Sequence, residues 1–170
     1  GKKNVISTIL QSFIAMGVVS VVWVVVGFSL SFGSDIGGVI GNPFDFFMFK
    51  GVGAKTDAAL APTIPLALFA LFQMKFAIIT PSLITGSFAE RVKFSAYLVF
   101  MILFCLFIYC PLAHCTWHPE GLFRQWGVVD FAGGIVVHAS SGVAALAGAL
   151  FLGRRVQREH SDAPANIPYV

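Results

Sequence analysis

The chain has 170 residues and a net charge of +3, and only 11% of its residues are charged whereas 57% are hydrophobic. Because an ordinary soluble domain has about 25% charged residues, a soluble fold of this composition would expose large apolar patches to water. The composition therefore argues against a soluble enzyme, a disordered chain and a nucleic-acid-binding domain, and it predicts an integral membrane protein.

Four apolar stretches are long enough to cross a bilayer, which requires about 20 residues in a helix. They cover about residues 5–30, 60–88, 94–113 and 131–152. The first is rich in valine and has some strand character, but its length favours a spanning helix. The sequence therefore predicts an all-α polytopic membrane protein.

The segments between these stretches have different compositions. Residues 31–59 are rich in glycine, which is typical of turns, and we expect a short helix around residues 44–49. Residues 90–93 form a tight link, residues 115–130 contain two tryptophans, and a basic tail follows Gly153. The sequence begins without Met and stops abruptly at Val170, so we expect it to be part of a longer chain.

The distribution of positive charge predicts how the spans are oriented. Seven basic side chains fall on one side, namely Lys2, Lys3, Arg91, Lys93, Arg154, Arg155 and Arg158. Three fall on the other, namely Lys50, Lys55 and Arg124. This excess places residues 1–4, 89–93 and 154–170 in the cytoplasm and the glycine-rich segment outside.

Two polar residues near the fourth stretch are candidates for function, because ionisable groups within a membrane are costly. His138 is either a structural histidine that bonds to the backbone of another helix or an imidazole that lines a pore. Asp130 precedes a Gly-Gly pair and is expected to cap the helix that follows. The alternative is that its carboxylate attracts a cation at the outer mouth.

Aromatic residues offer a second set of candidates. Phe72 and Phe76 are four residues apart and share a helix face, which indicates either packing or a hydrophobic gate. Trp117 is either an interfacial anchor or a cation–π platform at a pore entrance. Lys75 is expected to extend its ammonium group towards the outer surface, where it could alter the electrostatics of the mouth.

The cysteines and two further histidines give weaker signals. The spacing of the three cysteines suits neither a disulfide framework nor a zinc motif, so we expect Cys105, Cys110 and Cys115 to be buried and free. His114 and His118 are expected to form a solvated pair in a loop, with a metal site as the less favoured alternative. No soluble-enzyme motif and no cofactor motif is present, so an enzyme is not expected.

The fourth stretch also contains many small residues, which let helix backbones approach closely in lipid. Ala144 and Gly148 are four residues apart and therefore lie on one face. The sequence predicts that this helix packs tightly within a bundle.

Four motifs closely resemble those of the ammonium transporter family (Amt/Mep, related to Rh proteins). They are DFAGGIVVHASSG at residues 130–142, FQMKFAIITP at 72–81, SFAERVKFS at 87–95 and PLAHCTW at 111–117. The resemblance extends over the whole chain, residues 1–170, which it assigns to a single membrane domain.

The resemblance implies a homotrimer of eleven-helix protomers built from inverted repeats, of which this chain resembles the second to fifth helices. It further implies a multi-pass protein of the plasma (inner) membrane that transports ammonium or ammonia. A cytosolic PII-type regulator is a family expectation only. No cofactor and no nucleic acid are implied.

The resemblance also implies roles for individual residues. Trp117 is similar to the aromatic residue of an external ammonium site, to which Phe72 would contribute, and Phe76 to one of two stacked gate phenylalanines. His138 is similar to the first of two pore histidines, and Asp130 to an acidic residue that supports the vestibule. The partners of these residues belong to a second half of the fold that this sequence does not contain.

Two features of the resemblance bear on its limits. Trp117 favours the Amt/Mep branch over the Rh branch, whereas Lys75 places a charge where an uncharged residue is expected.

Two other functions stay open: an ammonium sensor with the same fold, and a redox or metal protein that uses His114, His118 and His138.

Overall fold

The computed structural model describes residues 5–88 and 91–153. The predicted cytoplasmic segments 1–4 and 154–170, and residues 89 and 90 of the predicted cytoplasmic segment 89–93, lie outside the described residues. Among the described residues, four helical segments are long and apolar enough to cross a membrane: Ile9–Phe32, Leu66–Phe88, Phe94–Gln125 and Gly134–Leu152. The all-α membrane fold predicted from the sequence is confirmed.

The first span is one continuous helical rod of three segments. Helix α1 (Val5–Val22) continues into a π-helical turn at Trp23–Gly27 and then into α2 (Phe28–Phe32). Trp23 is fully buried, and its indole N–H donates a hydrogen bond of 3.0 Å to the carbonyl oxygen of Ala70. Since Ala70 lies in the second span, this bond ties the first two spans together within the core.

A long connection of turns follows the first span. Strands β1 (Asp35–Ile36) and β2 (Ile40–Gly41) form a small antiparallel hairpin in which Asp35 pairs with Gly41. The short helix predicted around residues 44–49 is a single 3₁₀ turn at Phe47–Phe49. The ring of Phe46, just before this turn, and the ring of Phe49, its last residue, pack on Phe28, with ring centroids 5.1 and 5.8 Å away. The connection is therefore folded onto the end of the first span.

Helix α3 (Leu66–Phe88) forms the second span and begins later than the sequence predicted, since residues 60–65 belong to the connection. Its first free N–H groups donate to the loop, from Leu66 to the Lys55 carbonyl oxygen at 2.9 Å and from Ala67 to that of Gly53 at 3.0 Å. These bonds satisfy donors that a helix start leaves unpaired, so the loop caps the helix.

The third span is longer than predicted. It consists of α4 (Phe94–Phe104), a π-helical segment at Cys105–Tyr109 and α5 (Cys110–Trp117), and the short α6 (Leu122–Gln125) follows. The three cysteines are buried and free, as predicted. The π segment meets that of the first span, since the rings of Tyr109 and Trp23 are 6.2 Å apart.

The fourth span begins with a π-helical segment at Gly134–Ala139 and continues as α7 (Ser140–Leu152). Helix α7 packs against α3, and Gly148 faces the ring of Phe88 with no room for a side chain. The predicted close packing of a small residue is confirmed. The opposite face of α7 exposes Val143, Leu146 and Leu150, so within the described chain that face has no partner.

Candidate functional site

Three aromatic side chains from two spans form an edge-to-face chain. The rings of Phe72 and Phe76 on α3 are 5.1 Å apart at 77°. The ring of Phe76 is 5.7 Å from that of Trp117 at 63°. Phe72 and Phe76 meet because they are one helical turn apart, and Trp117 joins them because it is the last residue of α5. Such tilted contacts are favoured by the quadrupoles of the rings.

These rings border a cavity of about 580 Å³ at the end of the bundle where α5 ends. Four of the five residues singled out from the sequence, Phe72, Phe76, Trp117 and Asp130, line this cavity. Its other lining residues are Phe32, Ala59, Leu60, Phe69, Gln73, Pro119, Arg124 and Phe131. The structure thus brings most of the predicted site residues into one place, with faces of aromatic rings and a few polar groups around it.

Asp130 makes the capping contacts that its position in the sequence predicts. One carboxylate oxygen accepts hydrogen bonds from the backbone N–H groups of Gly133 and Gly134 at 2.7 and 2.8 Å. The other accepts from Ile135 and Val136 at 2.8 and 3.2 Å. Burial alone would raise the pKa of Asp130, but the four donors outweigh it and hold the pKa below its ordinary value of 3.8. The ionised carboxylate fixes the start of the fourth span.

The backbone of Asp130 also holds the Trp117 side chain in place. Its indole N–H donates a hydrogen bond of 2.9 Å to the carbonyl oxygen of Asp130. The indole is half-buried, and this hydrogen bond occupies its N–H. The bond joins the end of the third span to the start of the fourth and leaves the ring available to the cavity.

His138 lies apart from the cavity, on the π-helical segment that Asp130 caps. Its backbone N–H bonds to the Gly133 carbonyl oxygen at 2.9 Å, five residues earlier. Gly133 has a φ of 88° and lies against Val137, so a residue with a side chain would be strained there. The imidazole is exposed and has no hydrogen-bond partner among residues 5–88 and 91–153. It faces away from the rest of the described chain.

The predicted solvated pair of His114 and His118 is wrong. The side chains are 0% and 7% exposed, and their rings stack 4.4 Å apart at 12°. The histidines lie on and just after α5, and the hairpin folds over them and shields them from solvent. The hairpin is distant from these histidines in the sequence, so the residues around positions 114–118 give no local signal that it covers them.

Both nitrogens of His114 face oxygen acceptors. Nδ1 is 3.0 Å from the Ser31 carbonyl oxygen and Nε2 is 2.8 Å from an oxygen of Asp35. The same Asp35 oxygen accepts from the Gly38 N–H at 2.7 Å. The hydrogen bond with His114 is the main cause of an Asp35 pKa below its ordinary value. Through these two contacts the His114 side chain joins the first span, the hairpin and the third span.

This geometry disfavours a metal centre. Both nitrogens of His114 are occupied, and Nδ1 of His118 accepts from the Glu120 N–H at 3.2 Å. Within the described ranges, no group of three or more histidine, cysteine or acidic side chains could hold a metal ion.

Lys75 is exposed and is absent from the cavity lining.

Sequence reasoning overlooked one residue of the cavity, Gln73. Its side chain is only 9% exposed, and its amide oxygen has no hydrogen-bond partner among the described residues. A signal was present, because Gln73 is four residues after Phe69 and three before Phe76 and so shares their helix face. Leaving such an acceptor unpaired costs about 1–3 kcal/mol, which makes the residue notable.

Comparisons with known proteins agree over most of the chain. The sequence profile described as the Ammonium Transporter Family matches residues 1–170. An ammonium transporter of Aquifex aeolicus is 46% identical over 169 residues, which are 99% of this chain and 38% of that protein. An ammonium transporter of Bacillus subtilis is 44% identical over 170 residues, 98% of this chain and 40% of that protein. The chain therefore spans well under half the length of these relatives.

Solved structures show the same architecture. The crystal structure of Mep2 from Saccharomyces cerevisiae matches 92% of this chain and 35% of its own with a TM-score of 0.82 and 33% identity. A structure described as a sensor Amt protein matches 95% of this chain and 40% of its own with a TM-score of 0.80 and 31% identity. With its four apolar spans, its matching profile and these relatives, the chain belongs to the ammonium transporter family.

Proposed function

We propose that a full-length protein containing this chain transports ammonium across a membrane, and that the aromatic cavity is the site that recruits the ion. The observation that carries the proposal is the grouping of Phe72, Phe76 and Trp117 around one cavity. The face of an aromatic ring attracts a cation, and the attraction grows to about 2 kcal/mol when the site is partly desolvated. The names of the relatives support ammonium as the cation.

The polar groups of the cavity fit this role. Asp130 contributes a negative charge near the rings, and its four backbone bonds keep the carboxylate ionised and fixed in place. The bond from the Trp117 indole N–H to the Asp130 carbonyl oxygen orients the ring. We therefore assign Trp117 and Phe72 to substrate binding and Asp130 to support of the vestibule.

We assign the later steps to Phe76 and His138. Phe76 touches both Phe72 and Trp117, so a ring movement there would open or close the inner side of the cavity, as a gate does. Ammonium loses its proton near this ring, and ammonia then passes the imidazole of His138. The exposed face of that imidazole supports a pore completed by other parts of the protein. The proton either crosses separately from ammonia, or ammonia and the proton are transported together with net charge.

The assembly and location in this proposal rest on the family resemblance. They comprise a homotrimer in the plasma membrane, cytoplasmic residues 1–4, 89–93 and 154–170, and a PII-type regulator on that side. Cross-linking of purified protein into a three-subunit species would support the trimer, and a species that saturates at two subunits would contradict it.

The test of the recruitment site is Trp117→Leu in the full-length protein. We expect ammonium uptake with about tenfold weaker apparent affinity and stronger competition by potassium, because the largest ring of the cavity is gone. The matched control is Trp126→Leu, since Trp126 is 69% exposed and lies outside the cavity lining. Unaltered affinity and potassium competition in Trp117→Leu would contradict the site.

A second candidate function is ammonium sensing, which the match to a structure described as a sensor Amt protein favours. A sensor needs the recruitment site but not high flux. Uptake measurements on the full-length protein separate the two, because a sensor would bind ammonium at the cavity and carry little of it across the membrane.

A further inference from the structure

The connection after the first span exposes several large apolar side chains. Phe44, Phe47 and Met48 are 76%, 45% and 59% exposed within the described part of the chain. They belong to residues 44–50, a segment in which only Asp45 and Lys50 are charged. Single apolar residues are common on protein surfaces, but a short segment that exposes three of them indicates an interaction with another protein or with a membrane.

Contacts with the last turns of the first span hold this segment in place. The rings of Phe46 and Phe49 pack on the ring of Phe28. The backbone N–H of Phe46 also donates a hydrogen bond of 3.0 Å to the hydroxyl oxygen of Ser29. The exposed side chains are therefore presented by a segment that is fixed on both sides of Phe47 and Met48.

The backbone of the segment directs neighbouring side chains to opposite sides. Met48 and Phe49 have φ values of 53° and 57°, in the left-handed region that residues with a side chain rarely adopt. With this turn, Phe49 packs inwards on Phe28 whereas Met48 points outwards. Strained backbone of this kind is common where a protein meets a ligand or partner, and here it keeps an apolar side chain on the outside.

The contact with Phe28 fixes the depth of the segment in the membrane. The first span ends at Phe32, and because a helix rises 1.5 Å per residue, Phe28 lies about 6 Å inside that end. Amphipathic segments that lie in a membrane interface bury their apolar face about 5–10 Å into the boundary between headgroups and acyl chains. The segment is therefore at interfacial depth. Lys50 at its end is exposed, and its positive charge complements lipid phosphate groups.

We propose that residues 44–50 form an interfacial anchor, in which Phe44, Phe47 and Met48 insert into the adjoining leaflet of the bilayer. The depth of the segment and the charge of Lys50 favour lipid over a second protein surface as the partner. The anchor holds the connection, and with it the hairpin, at the membrane surface. This proposal does not depend on the proposed transport of ammonium.

The experiment attaches a nitroxide spin label to single introduced cysteines in the full-length protein, reconstituted in phosphatidylcholine vesicles. Phe47→Cys and Met48→Cys carry the label on the proposed anchor. The matched control is Thr56→Cys, because Thr56 is exposed in the same connection and follows Lys55, whose carbonyl oxygen accepts from the first N–H of α3. Protein without an introduced cysteine gives the background, and size-exclusion profiles verify that each variant is folded.

The readout is collision of the label with oxygen, which partitions into lipid, and with a nickel chelate, which stays in water. We expect the labels at positions 47 and 48 to lose most of the nickel accessibility measured at position 56 and to keep or increase their oxygen accessibility. Both labels must show this pattern for the proposal to stand.

Two other results would overturn it. Nickel accessibility as high as at position 56 would mean that the segment lies in water. Labels that neither reagent reaches would mean that another protein surface covers the segment. Since none of these measurements involves ammonium, the anchor and the recruitment site are tested separately.

Discussion

His114 and His138 both lie in apolar helical segments, but their side chains have opposite surroundings. His114 is fully buried, both of its nitrogens have oxygen partners, and a second imidazole stacks on its ring. His138 is exposed and has no hydrogen-bond partner among the described residues. A polar group whose bonds are complete within the chain holds the fold together, whereas one left open is available to a substrate or to another part of the protein.

The same comparison applies to whole regions. The hairpin region around His114 is closed, since Gly38 both donates to Asp35 and accepts from the Leu122 N–H at 2.8 Å. The region from the aromatic cavity to His138 is open, since it contains a cavity of about 580 Å³ and an imidazole that is exposed within the described chain. Substitutions in the first region should therefore change stability, and substitutions in the second should change transport.

The largest expected effect comes from exchanging the two histidines for alanine. His114→Ala should destabilise the full-length protein by about 3 kcal/mol, because it leaves a space where a fully buried side chain packs and removes its hydrogen bonds to Ser31 and Asp35. His138→Ala should change stability by less than about 1 kcal/mol but abolish transport or alter its charge selectivity. Thermal unfolding in detergent and methylammonium currents measure the two effects.

Two results would break the comparison. One is a His138→Ala protein with unchanged methylammonium currents, which would remove the pore role of the imidazole. The other is a His114→Ala protein with wild-type thermal stability, which would mean that the bonds to Ser31 and Asp35 do not hold the hairpin in place.

A smaller effect is expected at Asp130, which belongs to both kinds of region because it caps a helix and lines the cavity. Asp130→Ala should lower stability by about 1–2 kcal/mol, as the loss of a helix cap does. Asp130→Asn should cost less, because one side-chain oxygen still accepts hydrogen bonds. Thermal unfolding of the three proteins checks the order, and equal losses for Ala and Asn would show that the charge matters and the acceptor does not.

The smallest expected effect is on acid sensitivity. The pKa values of Asp35 and Asp130 are lowered in the folded protein, so both carboxylates stabilise it above their ordinary value near 3.8 and lose that contribution as the pH falls through the lowered values. Unfolding temperatures between pH 6 and pH 3 should fall at the acid end, and less steeply in Asp35→Asn. An identical slope in that variant would contradict the prediction for Asp35.

Short-range features of this chain could be predicted from the sequence. The cap at Asp130 joins residues at most six positions apart, and the Phe72–Phe76 contact follows from one helical turn. The small residues of the fourth span predicted that it packs closely in a bundle, although they did not indicate α3 as its partner. Each of these depends on local periodicity or local hydrogen bonding, and a single sequence carries that information.

Long-range features could not be predicted in the same way. Asp35 and His114 are 79 residues apart, and nothing in the periodicity of either segment indicates that they meet. The late start of α3 is a different case, because Pro65 directly precedes its first residue and proline commonly marks a helix start. The apolar character of residues 60–65 concealed this signal, since hydrophobicity alone does not separate a spanning helix from a packed loop.

The π-helical segment at Gly134–Ala139 has a consequence for how the fourth span tolerates changes in length. A π turn holds one more residue than an α turn between the same hydrogen-bonding groups. Deleting one residue there would restore α-helical winding, and the two ends would keep nearly their present angular phase, because the π turn had absorbed the extra residue. A deletion in the regular helix α7 has no such turn to absorb it and would rotate everything beyond it by about 100°, the rotation per residue of an α-helix. The fourth span should therefore tolerate the loss of one residue between Gly134 and Ala139 better than a loss within α7.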